Sequence, residues 1–243
     1  MEDIITDVLH KNLGSKKVFT NVELENVLKA YYAKPYHKTT YRWRIHDLKS
    51  RGIVQNVGRG IYAFPQSIKD FAPAITTEAR KIYEEIQTSL PFLTIALTDT
   101  AWFNEFTVQQ VFKTYIIIYV EKGSASSVFN NLQAEYRQSY LNPGREIFEN
   151  YMTTDDQPLI IQSMISEAPL TQSDKMNISS LEKLLVDFVS DHLLYAAQQE
   201  ETEGIYKTAL EKYPVNIAKL KRYARRRNKE DRVSELLNNI QRK

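Results

Sequence analysis

Thr39, Arg42, His46 and Lys49 recur at three- and four-residue intervals, the spacing that sets side chains on one strip of an α-helix. An arginine on such a strip can fork onto guanine O6 and N7 or onto a phosphate, and a lysine suits a phosphate. Threonines at a helix start hold anions near the positive end of the backbone dipole. Lys38, Thr40, Trp43 and Arg44 flank the strip, and Arg59 stands between two glycines farther on, where a hairpin tip would carry it to an adjacent groove. The chemistry such a strip could do is recognition of double-stranded DNA, with Lys38, Thr39, Thr40, Arg42, Trp43, Arg44, His46, Lys49 and Arg59 as the candidate contact set. A charged strip alone is only a solvated face, so the surrounding elements decide. Trp43 is expected to be at least partly packed.

A second cationic group, Lys221, Arg222, Arg225, Arg226 and Arg227, lies near the C-terminal end of the sequence. It reads as a solvated surface, a second polyanion site or a docking face for an acidic protein, and spacing does not choose among them. Reactive chemistry is harder to find. The absence of cysteine removes thiolate zinc sites and thiol nucleophiles. Four histidines without HExxH spacing predict no metal site, and His10 and His37 form no ligand set with His46. The seven glycines offer neither a Walker loop nor a dinucleotide fingerprint. Gly123-Ser124, after the apolar run 115–120, is similar to the strand-to-helix turn of a nucleotidyltransferase, but no paired aspartates follow to hold magnesium. Asp155-Asp156 reads as a polar turn. No catalytic residue and no cofactor is expected.

The strip needs a helix held by others. Ile4, Ile5, Val8 and Leu9, stopped at Gly14, predict a first helix. Thr20 and Glu23 form a capping box with Phe19 as its staple, opening a second helix whose face is Leu24, Val27, Leu28 and Tyr31 and which breaks at Pro35. Thr39 or Thr40 caps a third, with Tyr41, Ile45 and Leu48 inward and Gly52 as its stop. Runs 53–57 and 61–64 predict a hairpin through Gly58-Arg59-Gly60, and 15–19 can add a small third strand. This order predicts a winged helix-turn-helix over 1–66.

A connection over 67–76 leads to a mixed α/β domain over 77–243, so the fold class is α+β. Its expected elements are a helix with Ala79, Ile82, Tyr83 and Ile86, strands over 93–97, 115–120 and 159–164, and a helix over 124–136. Ser179 and Ser180 cap a helix carrying Leu181, Leu184, Leu185 and Phe188, with Glu182, Lys183 and Asp187 on its other surfaces. Ile217, Leu220 and Ala224, then Val233, Leu236, Leu237 and Ile240, mark two basic C-terminal helices. The length of 243 residues suits two such units. The net charge of +2 divides into +5 over 1–66, −10 over 67–213 and +7 over 214–243, basic ends around an acidic middle. An acidic N-terminus without a signal-type run, and no stretch near the length of a membrane span, point to the cytoplasm.

Tyr41-Arg42-Trp43-Arg44-Ile45-His46-Asp47-Leu48, Gly52-Ile53-Val54 and Val57-Gly58-Arg59-Gly60-Ile61-Tyr62 resemble the winged helix of AbiEi-type abortive-infection antitoxins. Residues 178–187 and 220–227 are similar to stretches of that family's second domain, while 75–175 match only in layout. The resemblance implies a type IV toxin-antitoxin system in phage defence: a non-enzymatic antitoxin that represses its own operon by binding operator DNA and antagonises a nucleotidyltransferase toxin encoded nearby. It makes Thr39, Thr40, Arg42, Arg44 and Arg59 DNA-contact candidates and the second domain the antitoxin unit. The alternatives are a stand-alone winged-helix regulator whose second domain senses a ligand, and a nucleotidyltransferase or nuclease.

Overall fold

A computed structural model of the chain describes residues 4–16, 18–32, 38–58, 60–65, 70–152 and 157–242. Two compact units emerge, Met1–Asp70 with Leu210–Ala218, and Phe71–Ala209 with Lys219–Lys243.

In the first unit, α1 (Ile4–Leu13) buries Ile5, Leu9 and Leu13, a strict four-residue stripe that turns Ile4 out to solvent. Gly14 ends it: a Cβ there would lie 2.3 Å from the His10 carbonyl oxygen. Strand β1 (Phe19–Thr20) leads into α2 (Asn21–Tyr32) through the reciprocal cap, with Thr20 N–H donating to Glu23 Oε2 at 2.7 Å and Glu23 N–H to Thr20 Oγ1 at 3.2 Å. Helix α3 (Lys38–Ser50) is already helical at Lys38, so Thr39 and Thr40 sit in its first turn rather than at its cap. It ends in a Schellman motif: Ile53 N–H donates to Leu48 C=O at 2.9 Å, Gly52 N–H to Lys49 C=O at 3.0 Å, and Gly52 adopts φ +68°.

Strands β2 (Gln55–Gly58) and β3 (Ile61–Ala63) pair antiparallel with a register shift between Asn56 and Gly58, and β1 pairs with the other edge of β3. The sheet order is β1-β3-β2. Tyr41, Ile45 and Leu48 of α3 share one core with Leu9, Leu24, Leu28, Phe19, Val54 and Phe64. His10 is stacked on Phe64 with ring centroids 4.0 Å apart.

The second unit starts earlier than a connection over 67–76 implies. Residues 66–69 lie outside the described ones, while Phe71 packs on Phe106 and the Ala74 carbonyl accepts from Trp102 Nε1 at 2.9 Å. Helix α4 (Thr77–Ser89) is capped by Thr76, whose Oγ1 accepts from Ala79 N–H. Strand β4 (Ile95–Asp99), a 3-10 turn over Thr100–Glu105, β5 (Ile116–Val120), α5 (Ala125–Leu132), β6 (Ser139–Leu141), α6 (Arg145–Asn150), β7 (Leu159–Ser163), β8 (Leu170–Ser173) and β9 (Met176–Ser179) follow.

The sheet order is β6-β7-β5-β4-β9-β8, with β4/β5 and β8/β9 antiparallel and the other pairs parallel. Strands β4 and β5 are buried along their whole length; β5 is an unbroken apolar run, as in a sheet covered on both faces, while β4 ends in the buried polar pair Thr98 and Asp99. Helix α7 (Leu181–Ser190), a 3-10 turn over Ala196–Glu201, α8 (Thr202–Lys212), α9 (Ile217–Arg226) and α10 (Glu230–Arg242) complete the chain. Ser180 occupies the cap position of α7 but makes no capping bond there; its hydroxyl instead donates to Glu182 Oε2 at 2.6 Å. No helix among the described residues is long and apolar enough to cross a membrane.

Candidate nucleic-acid interface

Helix α3 turns two faces in different directions because its residues advance about 100° each. Tyr41, Ile45 and Leu48 are buried, and Arg42, His46 and Lys49, roughly a quarter turn away, are exposed. The Arg42, His46 and Lys49 side chains make no ion pair or hydrogen bond with another described residue, so the strip is available to a ligand. Trp43 beside it is 63% exposed rather than packed. Thr40 is half-buried.

Arg44 differs from its neighbours. Its guanidinium lies 3.7 Å from the centroid of the Tyr32 ring and is half-buried, a cation–π contact that braces α3 on α2. Asp47, the acid of this helix, pairs with Arg51 at 3.3 Å, one turn on. The side chains of Lys38 and Thr39, and all of Arg59, fall outside the described residues, as do His37 and Asp155-Asp156. What is described of the hairpin is Gly60 at φ +73° and a brace from Asn56 Nδ2 to Ile61 C=O at 3.3 Å.

The arginines of the C-terminal cationic group are each matched by a carboxylate. Arg226 and Arg222 both pair with Glu167, the latter at 3.7 Å, and Arg225 makes two hydrogen bonds of 2.7 Å to Glu230. That bidentate geometry raises the Arg225 guanidinium and lowers the Glu230 carboxyl from their ordinary ranges. Lys221 is half-buried. Arg227 differs from the other arginines of the group: it is half-buried, pairs with Asp191 at 2.5 Å and lies 3.6 Å from Asp187.

Arg227 belongs to a buried ionic cluster the spacing did not reveal. Lys183 and Asp187, expected on outer surfaces of α7, are 0% and 2% exposed and pair with each other one turn apart. Lys183 Nζ also lies 3.2 Å from the centroid of the Tyr119 ring. Asp187 accepts from Tyr223 at 2.9 Å and Tyr119 at 3.3 Å. Burial pulls the Lys183 ammonium below its usual range against the attraction of Asp187. Burial likewise pushes the Asp191 carboxyl up, with Asp187 adding to it and Arg227 opposing. Two cations and two carboxylates leave the cluster neutral, the condition for keeping charges out of water.

A legible signal existed. Leu181, Leu184, Leu185, Val186, Phe188 and Val189 surround α7 on all sides, and a helix that is apolar all round is buried with whatever charges it carries.

Enzyme-like features stay apart. Gly123, at φ +93°, and Ser124 join β5 to α5, whereas the buried Asp99 pairs with Ile116 at the other end of that strand. Asp99 accepts from Ala101 N–H and Gln157 Nε2, which closes the 3-10 turn. Among the described residues no group of three or more metal-ligating side chains converges.

No curated protein matches the sequence. The match to a known family begins in the first turn of α3 and takes in the hairpin, the second unit and the ionic cluster alike: over residues 40–243 the chain belongs to DUF6577, a family of unknown function.

Proposed function

We propose that the chain is a DNA-binding repressor whose first unit is a winged helix, with α3 as the recognition helix, and that it serves as the antitoxin of a type IV toxin-antitoxin pair. One observation carries the reading. Helix α3 is anchored by Tyr41, Ile45 and Leu48 while Arg42, His46 and Lys49 stand free on one exposed strip. The three-helix order with an antiparallel hairpin and a third strand from β1 supports it, since a recognition helix needs such a rigid mount.

In this reading Arg42 reads a guanine or a phosphate, Lys49 neutralises phosphate, and Arg44 holds α3 to α2 instead of touching bases. The second unit, carrying the stretches 178–187 and 220–227 that resemble the second domain of those antitoxins, antagonises a nucleotidyltransferase encoded beside it. The protein acts in the cytoplasm as a binding protein rather than an enzyme.

A gel shift with the promoter of its own operon tests the DNA arm. Arg42→Ala is expected to weaken the complex about tenfold, since a bidentate base contact contributes roughly 1–3 kcal/mol. Arg44→Ala is expected instead to lower the unfolding midpoint of the first unit. Equal binding by wild type and Arg42→Ala would remove α3 from the interface. Co-expression with the neighbouring nucleotidyltransferase tests the antitoxin arm: the full chain is expected to restore growth, and unrelieved toxicity would remove the antitoxin role.

A further inference from the structure

Within the second unit, the approach to β5, helix α6 and the turn after α7 line an open cavity of about 410 Å3. A neighbouring hollow of about 330 Å3 shares Arg145, Phe148 and His192 with it. Small-molecule sites have volumes of roughly 300–1,000 Å3, apolar walls and a few convergent polar groups. Phe148 supplies apolar wall, and Lys113, Arg145 and His192 put three basic residues in the lining, His192 with its Nδ1 3.1 Å from Gln199 Oε1 and its other ring nitrogen left for a ligand. Glu149, the acid in this lining, is paired with Arg145 at 3.6 Å, one turn away on α6.

Two further lining residues point to a ligand. Tyr115 and Gln198 are only 4% and 3% exposed, yet the Tyr115 hydroxyl and the Gln198 amide make no hydrogen bond with any described residue. Both residues line the cavity. Buried polar groups without partners are costly unless something meets them. Burial raises the Tyr115 hydroxyl to about 12, which keeps it a donor at neutral pH. The Gln198 amide presents a donor beside an acceptor, the complement of a nucleobase edge.

We propose that this cavity binds a small organic phosphate of nucleoside monophosphate size, with the phosphate at Lys113, Arg145 and His192 and the planar polar group at Gln198 and Tyr115. The site lies wholly in the second unit and does not depend on the DNA reading. It gives that unit a ligand to respond to.

Isothermal titration of the full chain with the four common ribonucleoside monophosphates, and with inorganic phosphate, tests it. At least one nucleotide is expected to bind saturably at one site per chain and more tightly than phosphate. Arg145→Glu, on the exposed face of α6, is expected to weaken it by about tenfold or more, in keeping with loss of a charge-assisted contact. Gln198→Leu is expected to weaken the nucleotide but not phosphate. Absence of saturable binding by all four, phosphate binding as tightly as any nucleotide, or wild-type affinity in Arg145→Glu would each overturn the proposal. Should Gln198→Leu fail to fold by circular dichroism, Arg145→Glu decides.

Discussion

Lys183 and Asp187, one turn apart on α7, form an ion pair that water does not reach, and Asp187 at the same time accepts the hydroxyls of Tyr119 and Tyr223. Removing one member of a buried pair strands the other, at a cost of about 3–5 kcal/mol. Lys183→Met is therefore expected to destabilise the second unit by roughly that amount. Adding Asp187→Leu removes the stranded carboxylate but takes the acceptor from two tyrosine hydroxyls, at about 1–3 kcal/mol each, so it is not expected to restore wild-type stability. The two tryptophans are divided between the units, so a Trp43→Phe background makes Trp102 fluorescence a report on the second alone. Denaturant midpoints in that background check the loss: Lys183→Met is expected well below wild type, and an unchanged midpoint would mean that the pair adds nothing to stability.

That cluster also marks where the sequence became hard to read. Helix faces in the first unit follow from apolar spacing, and the Thr20/Glu23 cap and the Gly52 stop are local signals that each act within six residues. Lys183, Asp187 and Arg227 look like solvated charges because, beyond the Lys183–Asp187 pair itself, the groups that enclose them arrive from 36 or more residues away, Tyr223 and Tyr119 on Asp187 and Asp191 on Arg227. The β8–β9 hairpin was hidden for another reason. Its two-residue turn, Asp174-Lys175, has φ +48° and +67°, a conformation that Asn-Gly or Asp-Gly normally announces. The Asp174 carboxylate is tied to Arg80 of α4 at 2.6 Å, a long-range contact that no dipeptide signal contains. Tyr115 and Gln198 were invisible for the same reason, since their convergence on one cavity is made by the fold.

Glu23 is expected to titrate far below an ordinary glutamate. Its carboxylate accepts from Lys16 and from the backbone and hydroxyl of Thr20, and these bonds hold it down from 4.5 to about 2. A carboxyl with a depressed folded-state value adds stability that is present above 4.5 and fades as pH falls towards 2. A carboxyl-detected NMR titration should place the Glu23 midpoint near the lower value, and Lys16→Ala should move it up. An unshifted midpoint would mean that the capping box does not persist in solution.

Gly52 tests the end of α3 without touching its exposed strip. A Cβ at this position meets nothing within 4 Å, so space is not the constraint, but the φ of +68° is left-handed. Gly52→Ala is expected to cost about 1–2 kcal/mol through backbone strain alone. The Schellman bonds from Ile53 and Gly52 should persist, so DNA affinity well below the unfolding temperature should hold while the melting midpoint of the first unit drops. A large loss of affinity at low temperature would place the helix end in the interface.

Salt dependence separates the two cationic regions. Each phosphate neutralised by a side chain contributes about 0.9 to the slope of log affinity against log salt. Lys49 is exposed and makes no ion pair with a described residue, so Lys49→Ala is expected to flatten the slope by about that much with little effect on stability. Arg222, Arg225 and Arg226 are already matched by Glu167 and Glu230, and recruiting them to phosphate would break those pairs for little net gain. The triple variant Arg222→Ala, Arg225→Ala, Arg226→Ala is therefore expected to leave the slope unchanged. Deleting residues 214–243 is the blunter experiment and cannot substitute for it, because it also removes Leu220, Tyr223, Val233 and Leu236 from the core and Arg227 from Asp187 and Asp191. A flatter slope in the triple variant would make the C-terminal arginines a second DNA-binding region, with Glu167 and Glu230 released on binding.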